Sequence, residues 1–439
     1  VQDNLVFRIE ELFSELDKAV ETLQTTKQQL AVYRQAVLKE AFETFKRKSV
    51  PERHIADICD YIVDCPHSTA PDEGEGYPLI RTPNVGKGRL DLNGVHRVSE
   101  SVYKQRIQRG APRANDLIFA REAPAGNVAL VQENQTVCLG QRTVLIRPNV
   151  QKVNPQYLVY YLLSPKPQYE LLGTANGATV AHVNLPAIRN LKIELPEKSV
   201  QDKIGTILVT YDNLIENNQK QIKLLEEAVQ RLYKEWFVDL RFPGHENTKI
   251  VDGVPERWNE KTLSQVANVI MGQSPKSEFY NSEKKGLPFH QGVGSYGVRF
   301  VMDDIYSTSY TRIAEPNSIL FSVRAPVGRL NITKNKVVIG RGLAAINQTD
   351  GCQSYLYYLL KNKFFKDNIV GNGSIFASVS KDELLNQKFL IPERNLMMQF
   401  EKIVSQMDKQ IENLDSKNKK LIEARDRLLP ELMSGEMEV

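Results

Sequence analysis

The stretch Ile204–Phe237, IGTILVTYDNLIENNQKQIKLLEEAVQRLYKEWF, decides how the rest of the chain is read. Its apolar residues, Ile204, Ile207, Leu208, Tyr211, Leu214, Ile215, Ile222, Leu225, Val229, Leu232 and Trp236, recur mostly in steps of three and four, which draws one stripe down a single helix. No proline interrupts it, and its one glycine, Gly205, falls in the first turn. At 1.5 Å per residue the run would be about 50 Å long, too long for one face of a compact domain and suited to a strut.

The same pattern recurs once before and once after. Leu16-Asp17, Tyr211-Asp212 and Met407-Asp408 correspond, as do Val20, Ile215 and Ile411, then Leu30, Leu225 and Leu421, then Val37, Leu232 and Leu428. Ala41-Phe42 answers Trp236-Phe237, and Phe400, Ile403 and Leu414 complete the third stripe. The chain is therefore an internal repeat. Ile207, Tyr211, Ile215, Leu225 and Leu232 of the second copy are expected to pack against Ile403, Met407, Ile411, Leu414, Leu421 and Leu428 of the third.

At 439 residues the chain can hold two or more cores, and the repeat favours two globular blocks. No apolar run reaches the length of a membrane span, and no secretory pattern opens the chain. The four cysteines, Cys59, Cys65, Cys138 and Cys352, show neither CxxC spacing nor a metal-ligand pattern with histidine, so reduced thiols in a cytoplasmic protein are expected. The chain opens at Val1 rather than Met, which leaves an upstream segment open. The net charge of +4 is unevenly placed: residues 50–195 hold 16 Lys and Arg against 14 Asp and Glu, and residues 258–391 hold 16 against 10. Positive charge thus sits on the blocks between the helices, as suits blocks that face a polyanion.

Five segments follow: a long helix over 1–49, a first block over 50–195, a central helix and joint over 196–245, a second block over 246–391, and a last helix over 392–439. Both blocks read as mixed α/β, giving an α+β chain with antiparallel long helices between two pseudo-symmetric domains. In the first, Ile55–Tyr61 reads as a short helix, with strands at 77–81, 116–121, 127–131 and 143–146, a helix at 154–163, and a closing strand within 185–196. The second repeats this plan: Ser318–Gly328 answers Asp116–Gly126, Val338–Gly342 answers Cys138–Arg142, and Tyr355–Leu360 answers Leu158–Leu163. Gly126, Gly140, Gly328 and Gly340 read as turn glycines requiring positive φ. The aromatic joint, Asp239-Leu-Arg-Phe-Pro-Gly-His-Glu246 and on to Trp258, reads as an ordered crossing.

No phosphate-binding loop, dinucleotide fingerprint, HExxH or aminomethyltransferase motif is present, so catalysis and any metal or cofactor are not expected. Two non-identical blocks can instead read two short patches on one long partner. DNA is such a partner, with Lys and Arg on phosphates, Arg on guanine, and Asn or Gln on adenine. The expected DNA contacts are Lys87, Arg89, Arg97, Arg121, Asn176 and Thr179 in the first block, and Lys284, Lys285, Gln291, Tyr296, Arg299, Arg324, Arg341 and Asn372 in the second. The competing reading for Arg121 and Arg324 is a strand-end cap or internal ion pair, and for Lys284-Lys285 a solvated surface run.

Two divergent blocks, the Pro-Glu lead-ins at Pro196 and Pro392, WFVDLRFPGHE at 236–246, LSQVANVIMGQSPKSEFYN at 263–281 and IGRGLAA at 339–345 together resemble the specificity subunit of type I restriction-modification systems over essentially the whole chain. The resemblance implies a non-catalytic subunit whose two target-recognition domains each read one half of a split double-stranded DNA sequence. It also implies an antiparallel helical spacer that docks two methyltransferase subunits, which restriction subunits can join. The usual order is domain, helix, domain, helix; this chain begins with an additional helix, and the helices over 197–237 and 392–434 are expected to form the principal pair. Two other readings stay open: the recognition module of a type II restriction-methylation enzyme, and a coiled-coil scaffold with two protein-binding domains.

Overall fold

A computed structural model describes residues 50–173, 182–364, 378–437 and 439. The helix expected over 1–49 lies outside them. By its internal contacts the chain divides into two units, one of residues 1–219 with 416–439 and one of residues 220–415. The elements that matter most are β1 (Tyr77–Ile80), β2 (Cys138–Leu139), α1 (Pro155–Leu163), α2 (Lys198–Tyr233), β3 (Leu287–His290), β4 (Val337–Ile339), α3 (Gln353–Phe364) and α4 (Arg394–Ser434).

In the first unit a five-stranded sheet runs Cys59–Asp64, Thr143–Pro148, Leu117–Ala120, Val128–Leu130, Gly88–Arg89, and a three-stranded sheet runs Arg97–Val98, β1, β2. The strand Leu117–Ala120 is buried on both faces, and its period of two divides its side chains between two cores. Leu117 and Phe119, with Val144 and Ile146, meet Tyr157, Leu158 and Tyr161 of α1 and Ile204 and Leu208 of α2. Ile118 and Ala120, with Leu145, face a smaller core of Ile80, Val131 and Leu139. The second unit repeats the division. Ile319 and Phe321 join Tyr355 and Tyr358 of α3 and Phe400 of α4, while Leu320 joins Val337, Ile339 and Leu343.

Local chemistry explains the helix starts. Asn154 accepts the N–H groups of Gln156 and Tyr157, and Pro155 occupies the first turn, so α1 carries its own cap. In α3 the cap comes from α4: the carboxylate of Glu401 accepts Ser354 N at 3.2 Å and Tyr355 N at 3.0 Å. Burial raises the Glu401 pKa, and those backbone donors oppose the rise. The repeat-equivalent position in α2 is Gly205, where a β-carbon would lie 3.0 Å from Gln156 Cβ. A self-capped α1 thus lies closer to its long helix than a side chain at 205 would allow.

Two local expectations are corrected. Residues 55–58 form one 3-10 turn, and Cys59–Asp64 is a strand, because pairing antiparallel with Thr143–Pro148 satisfies its backbone and buries Ile62. The closing segment contains a helix, Leu185–Asn190, before the strand Lys192–Glu194. Its start signal is Asn184, which accepts Ala187 N, followed by Pro186 in the first turn.

The long helices run antiparallel within each unit. In the first, Asn218 Nδ2 donates to Asn418 Oδ1 at 2.8 Å and Arg425 donates to Asp212 at 2.6 Å. In the second, Trp236 and Phe237 pack on Phe400 with ring centroids 5.9 and 5.1 Å apart. Ile215, Ile411 and Leu414 are buried; Ile207, Leu225, Leu232, Ile403, Met407 and Leu428 are half-buried against the cores, and Tyr211 and Leu421 are half-buried. The joint is ordered: Phe242 and Trp258 are buried with their rings 5.6 Å apart.

The same aspartate of each long helix fastens its block, by different means. Asp212 of α2 accepts the Tyr160 hydroxyl at 2.5 Å as well as Arg425. Asp408 of α4 accepts Arg299, a residue of the second block, at 2.5 Å. The antiparallel bridges Val85–Leu90 and Tyr296–Val301 make Gly88 the counterpart of Arg299. A β-carbon at Gly88 would fall 2.8 Å from Asp212 Oδ2, so the first unit leaves the position bare and takes its guanidinium from α4.

Candidate nucleic-acid interface

The two parallel strand pairs lie at corresponding places in the two units. Leu79 and Ile80 of β1 pair with Cys138 and Leu139 of β2; Phe289 and His290 of β3 pair with Val338 and Ile339 of β4. Parallel neighbours end together at one edge, so the loops that follow them emerge side by side. In the second unit these loops carry Gln291 and Arg341, both exposed. With Gln273, Ser274, Lys276 and Tyr280 they line an open cleft of about 680 Å³. Ser274 Oγ donates to Gln291 Oε1 at 2.7 Å, and Arg341 N donates to Ser274 Oγ at 3.2 Å, so one serine holds both loops.

The glycines at this edge correct one expectation. Gly126 and Gly328 do have positive φ, at 89° and 86°. Gly140 and Gly340 do not; they are required by close approach. A β-carbon at Gly140 would meet Arg81 Cγ at 2.8 Å and Ile80 O at 2.9 Å, and one at Gly340 would meet Gln291 Oε1 at 2.6 Å. Sequence spacing cannot separate these two reasons for a glycine.

The other expected contacts scatter. Lys87 and Lys284 are exposed, and Lys285 pairs with Glu283 at 2.5 Å on an exposed turn. Arg97 donates to Gly76 O at 2.7 Å and holds the 72–76 loop. Arg89 donates to Asn213 Oδ1 of α2 at 2.5 Å. Arg324 is exposed, its backbone bridged to Ser378. Asn176, Thr179 and Asn372 lie outside the described residues.

Three residues expected on the DNA face commit their polar groups within the protein, and one of them, Arg299, is buried. Arg121 donates to Asp64 at 2.7 Å and Val183 O at 2.8 Å, and its third nitrogen lies 2.9 Å from His182; it ties the end of a strand to residues 182–183. Tyr296 donates its hydroxyl to Leu320 O at 3.0 Å, and burial raises its pKa. Arg299 is 2% exposed, stacks over Tyr357 at 4.3 Å, and is held by Asp408, Tyr358 and Glu226. Burial works against its charge, but those four groups more than offset it and its pKa is raised. A long cation on a loop reads as a phosphate contact unless its acid partner is recognised, and that partner lies 109 residues away.

Two non-identical α/β blocks built to one plan, each fastened to part of a helix pair, define a repeat-built protein with paired recognition-type domains. The family described as type I restriction modification DNA specificity domain matches residues 48–227 and again 255–424, one copy centred on each block. The chain belongs to that family and carries two such domains.

Its similarities extend along nearly its full length. A Methanocaldococcus jannaschii chain bearing the name MjaX specificity subunit of a type I restriction enzyme is 29% identical over 414 residues, covering 90% of this chain and 97% of that one. The HindI specificity subunit of Haemophilus influenzae is 23% identical over 407 residues, 74% of this chain and 87% of its own. The crystal structure of a type I restriction-modification S subunit from M. genitalium shares the fold, with a TM-score of 0.54 at 18% identity over 89% of this chain and 98% of that one. Among the described residues no helix is long and apolar enough to cross a membrane.

Proposed function

We propose that this chain is the DNA-reading subunit of a type I restriction-modification complex. It contributes recognition rather than bond-making, and reads a bipartite double-stranded target with one half-site per block. The observation that carries this is the doubled specificity domain, placed on two blocks of one plan whose loop residues differ. A duplicated scaffold with divergent loops is what reading two different short sequences requires. Binding by both blocks to one duplex makes the second contact intramolecular, which multiplies affinity without new chemistry.

The paired helices act as the spacer between half-sites, and the stretch of duplex between the half-sites contributes phosphate contacts and no base identity. The partners are two methyltransferase subunits, joined by restriction subunits, in the cytoplasm. Adenine N6 and cytosine N4 lie in the base stack, so the methyltransferase partner must flip its target base out. The test is methylation mapping of genomic DNA from cells holding the cognate methyltransferase subunits with and without this chain. A split motif, two specified parts around a fixed unspecified gap, appears only with the chain. Methylation independent of the chain, with the methyltransferase shown to be folded, overturns the reading.

A further inference from the structure

The strand register that places Gln291 and Arg341 at one edge of the second unit places two other residues at the same points of the first. Ile80 corresponds to His290 and Leu139 to Ile339. The next residues on those strands are Arg81 and Gly140 in one unit, Gln291 and Gly340 in the other, followed by Gln141 and Arg341. The closing hydrogen bonds are the same: Gly140 N donates to Ile80 O at 2.8 Å, and Gly340 N donates to His290 O at 2.8 Å. Each unit therefore presents one arginine and one glutamine from adjacent strand ends across a bare glycine, with the two positions exchanged between units.

We propose that Arg81 with Gln141, and Gln291 with Arg341, are the base-reading pairs of the two half-sites, each arginine taking a guanine and each glutamine an adenine. The assignment rests on the DNA-reading function proposed above and names residues within it. Arginine offers a planar fork to guanine O6 and N7, and glutamine offers one donor and one acceptor to adenine N7 and N6. Both units place an arginine–glutamine pair at the same two strand ends, with the residue types exchanged. Their capacity for bases is not used up internally. Gln291 Oε1 accepts one hydrogen bond, from Ser274, and keeps a second lone pair. Gln141 Nε2 donates to His67 O at 2.8 Å, which leaves its second hydrogen and its oxygen. The Arg81 Nε is buried without a hydrogen-bond partner among the described residues, so contact with a base is left to its two terminal nitrogens.

The pairs are also preorganised. The glycine between the strand ends lets Arg81 cross at the contact distance already given for Gly140, and the Ser274 bridge holds the Gln291 amide in place. Fixing a side chain before binding lowers the entropy lost on recognition and sharpens discrimination between bases. The exchange of positions means that the two halves, though read by one scaffold, present guanine and adenine in different order. An asymmetric split target follows.

The test is selection of bound duplexes from a random-sequence pool by the full chain assembled with its methyltransferase subunits. The wild-type complex returns a split motif. Arg81→Ala and Gln141→Ala each relax one position of one half, and Gln291→Ala and Arg341→Ala each relax one position of the other, with roughly 5- to 150-fold loss of discrimination at the affected base. Arg81→Lys and Arg341→Lys keep a donor for guanine but lose the planar fork, so the preference at that position returns only in part. A uniform loss of affinity with every preference retained, restored by lysine and accompanied by a salt slope smaller by about one, would mean phosphate contact and overturns the proposal. Arg341 is exposed and its variants keep the question answerable if an Arg81 variant fails to fold. A wild-type pool with no split motif would instead refute the underlying function.

Discussion

Replacing Arg299 by methionine removes the charge that holds Asp408 and keeps most of the volume. The Asp408 carboxylate, whose side chain is 21% exposed, then faces Glu226, Tyr357 and Tyr358 with no cation in the pair. Breaking a buried ion pair by deleting one partner costs about 3–5 kcal/mol, because the other charge stays desolvated. Stability of a unit this size falls with urea at about 2–3 kcal/mol per molar, so the unfolding midpoint should drop by about 1–2.5 M. The chain's two tryptophans, Trp236 and Trp258, are both buried in the second unit, so tryptophan emission reads that unit without interference from the first. Arg299→Met with Asp408→Leu should cost less than either single change, since an apolar pair leaves no charge stranded.

Acid supplies an internal check. Burial raises the Asp408 pKa, and Arg299 opposes that rise. A carboxyl whose folded pKa lies above its unfolded value binds its proton more tightly when folded. Stability is then highest below the unfolded pKa, near 4, and is lost as pH rises through the folded value. Arg299→Met widens that loss, so the variant should recover part of its deficit as pH is lowered from 7 towards 4. A midpoint shift below about 0.2 M, or a double variant as unstable as the sum of the singles, would refute the picture of Arg299 as a cation that fastens the second block.

Asn218→Leu alone should cost about 1–3 kcal/mol by leaving Asn418 buried without its partner, whereas Asn218→Leu with Asn418→Leu should raise the melting temperature by circular dichroism while loosening helix register. Gly88→Ala places a methyl 2.8 Å from Asp212 Oδ2 at φ +90°, and should cost more than the roughly 1 kcal/mol typical of strain alone, read as a lowered thermal midpoint. Gly340→Ala should leave the fold's far-ultraviolet spectrum intact but displace Gln291, weakening half-site selection in a random-pool experiment. Inserting one heptad into each long helix adds about 10 Å of helix and should lengthen the unspecified gap in the methylated motif; an unchanged gap would remove the helices as the spacer.

The repeat was legible because apolar periodicity survives divergence: the stripe from Ile204 to Trp236 follows from side-chain spacing alone. The central strands were legible for the same reason, since Leu117–Ala120 is apolar at every position. What the sequence concealed was long-range pairing. Asp212 and Asp408 stand next to the expected packing positions Tyr211 and Met407, yet the aspartates are the groups on which the blocks are fastened. Nothing local marks Arg299 as internal and Arg341 as external, because both stand near glycines in a basic block. Arg81 and Gln141 escaped notice in the first block because their correspondence to Gln291 and Arg341 rests on strand register, and the residue types are exchanged.

The most direct test of the account is an exchange of residues 50–195 for the corresponding block of another specificity subunit, followed by methylation mapping with the same methyltransferase partner. The account predicts a new sequence in one half of the motif, with the other half and the gap unchanged. A change in both halves, or in the gap, would contradict two independent readers joined by a helical spacer.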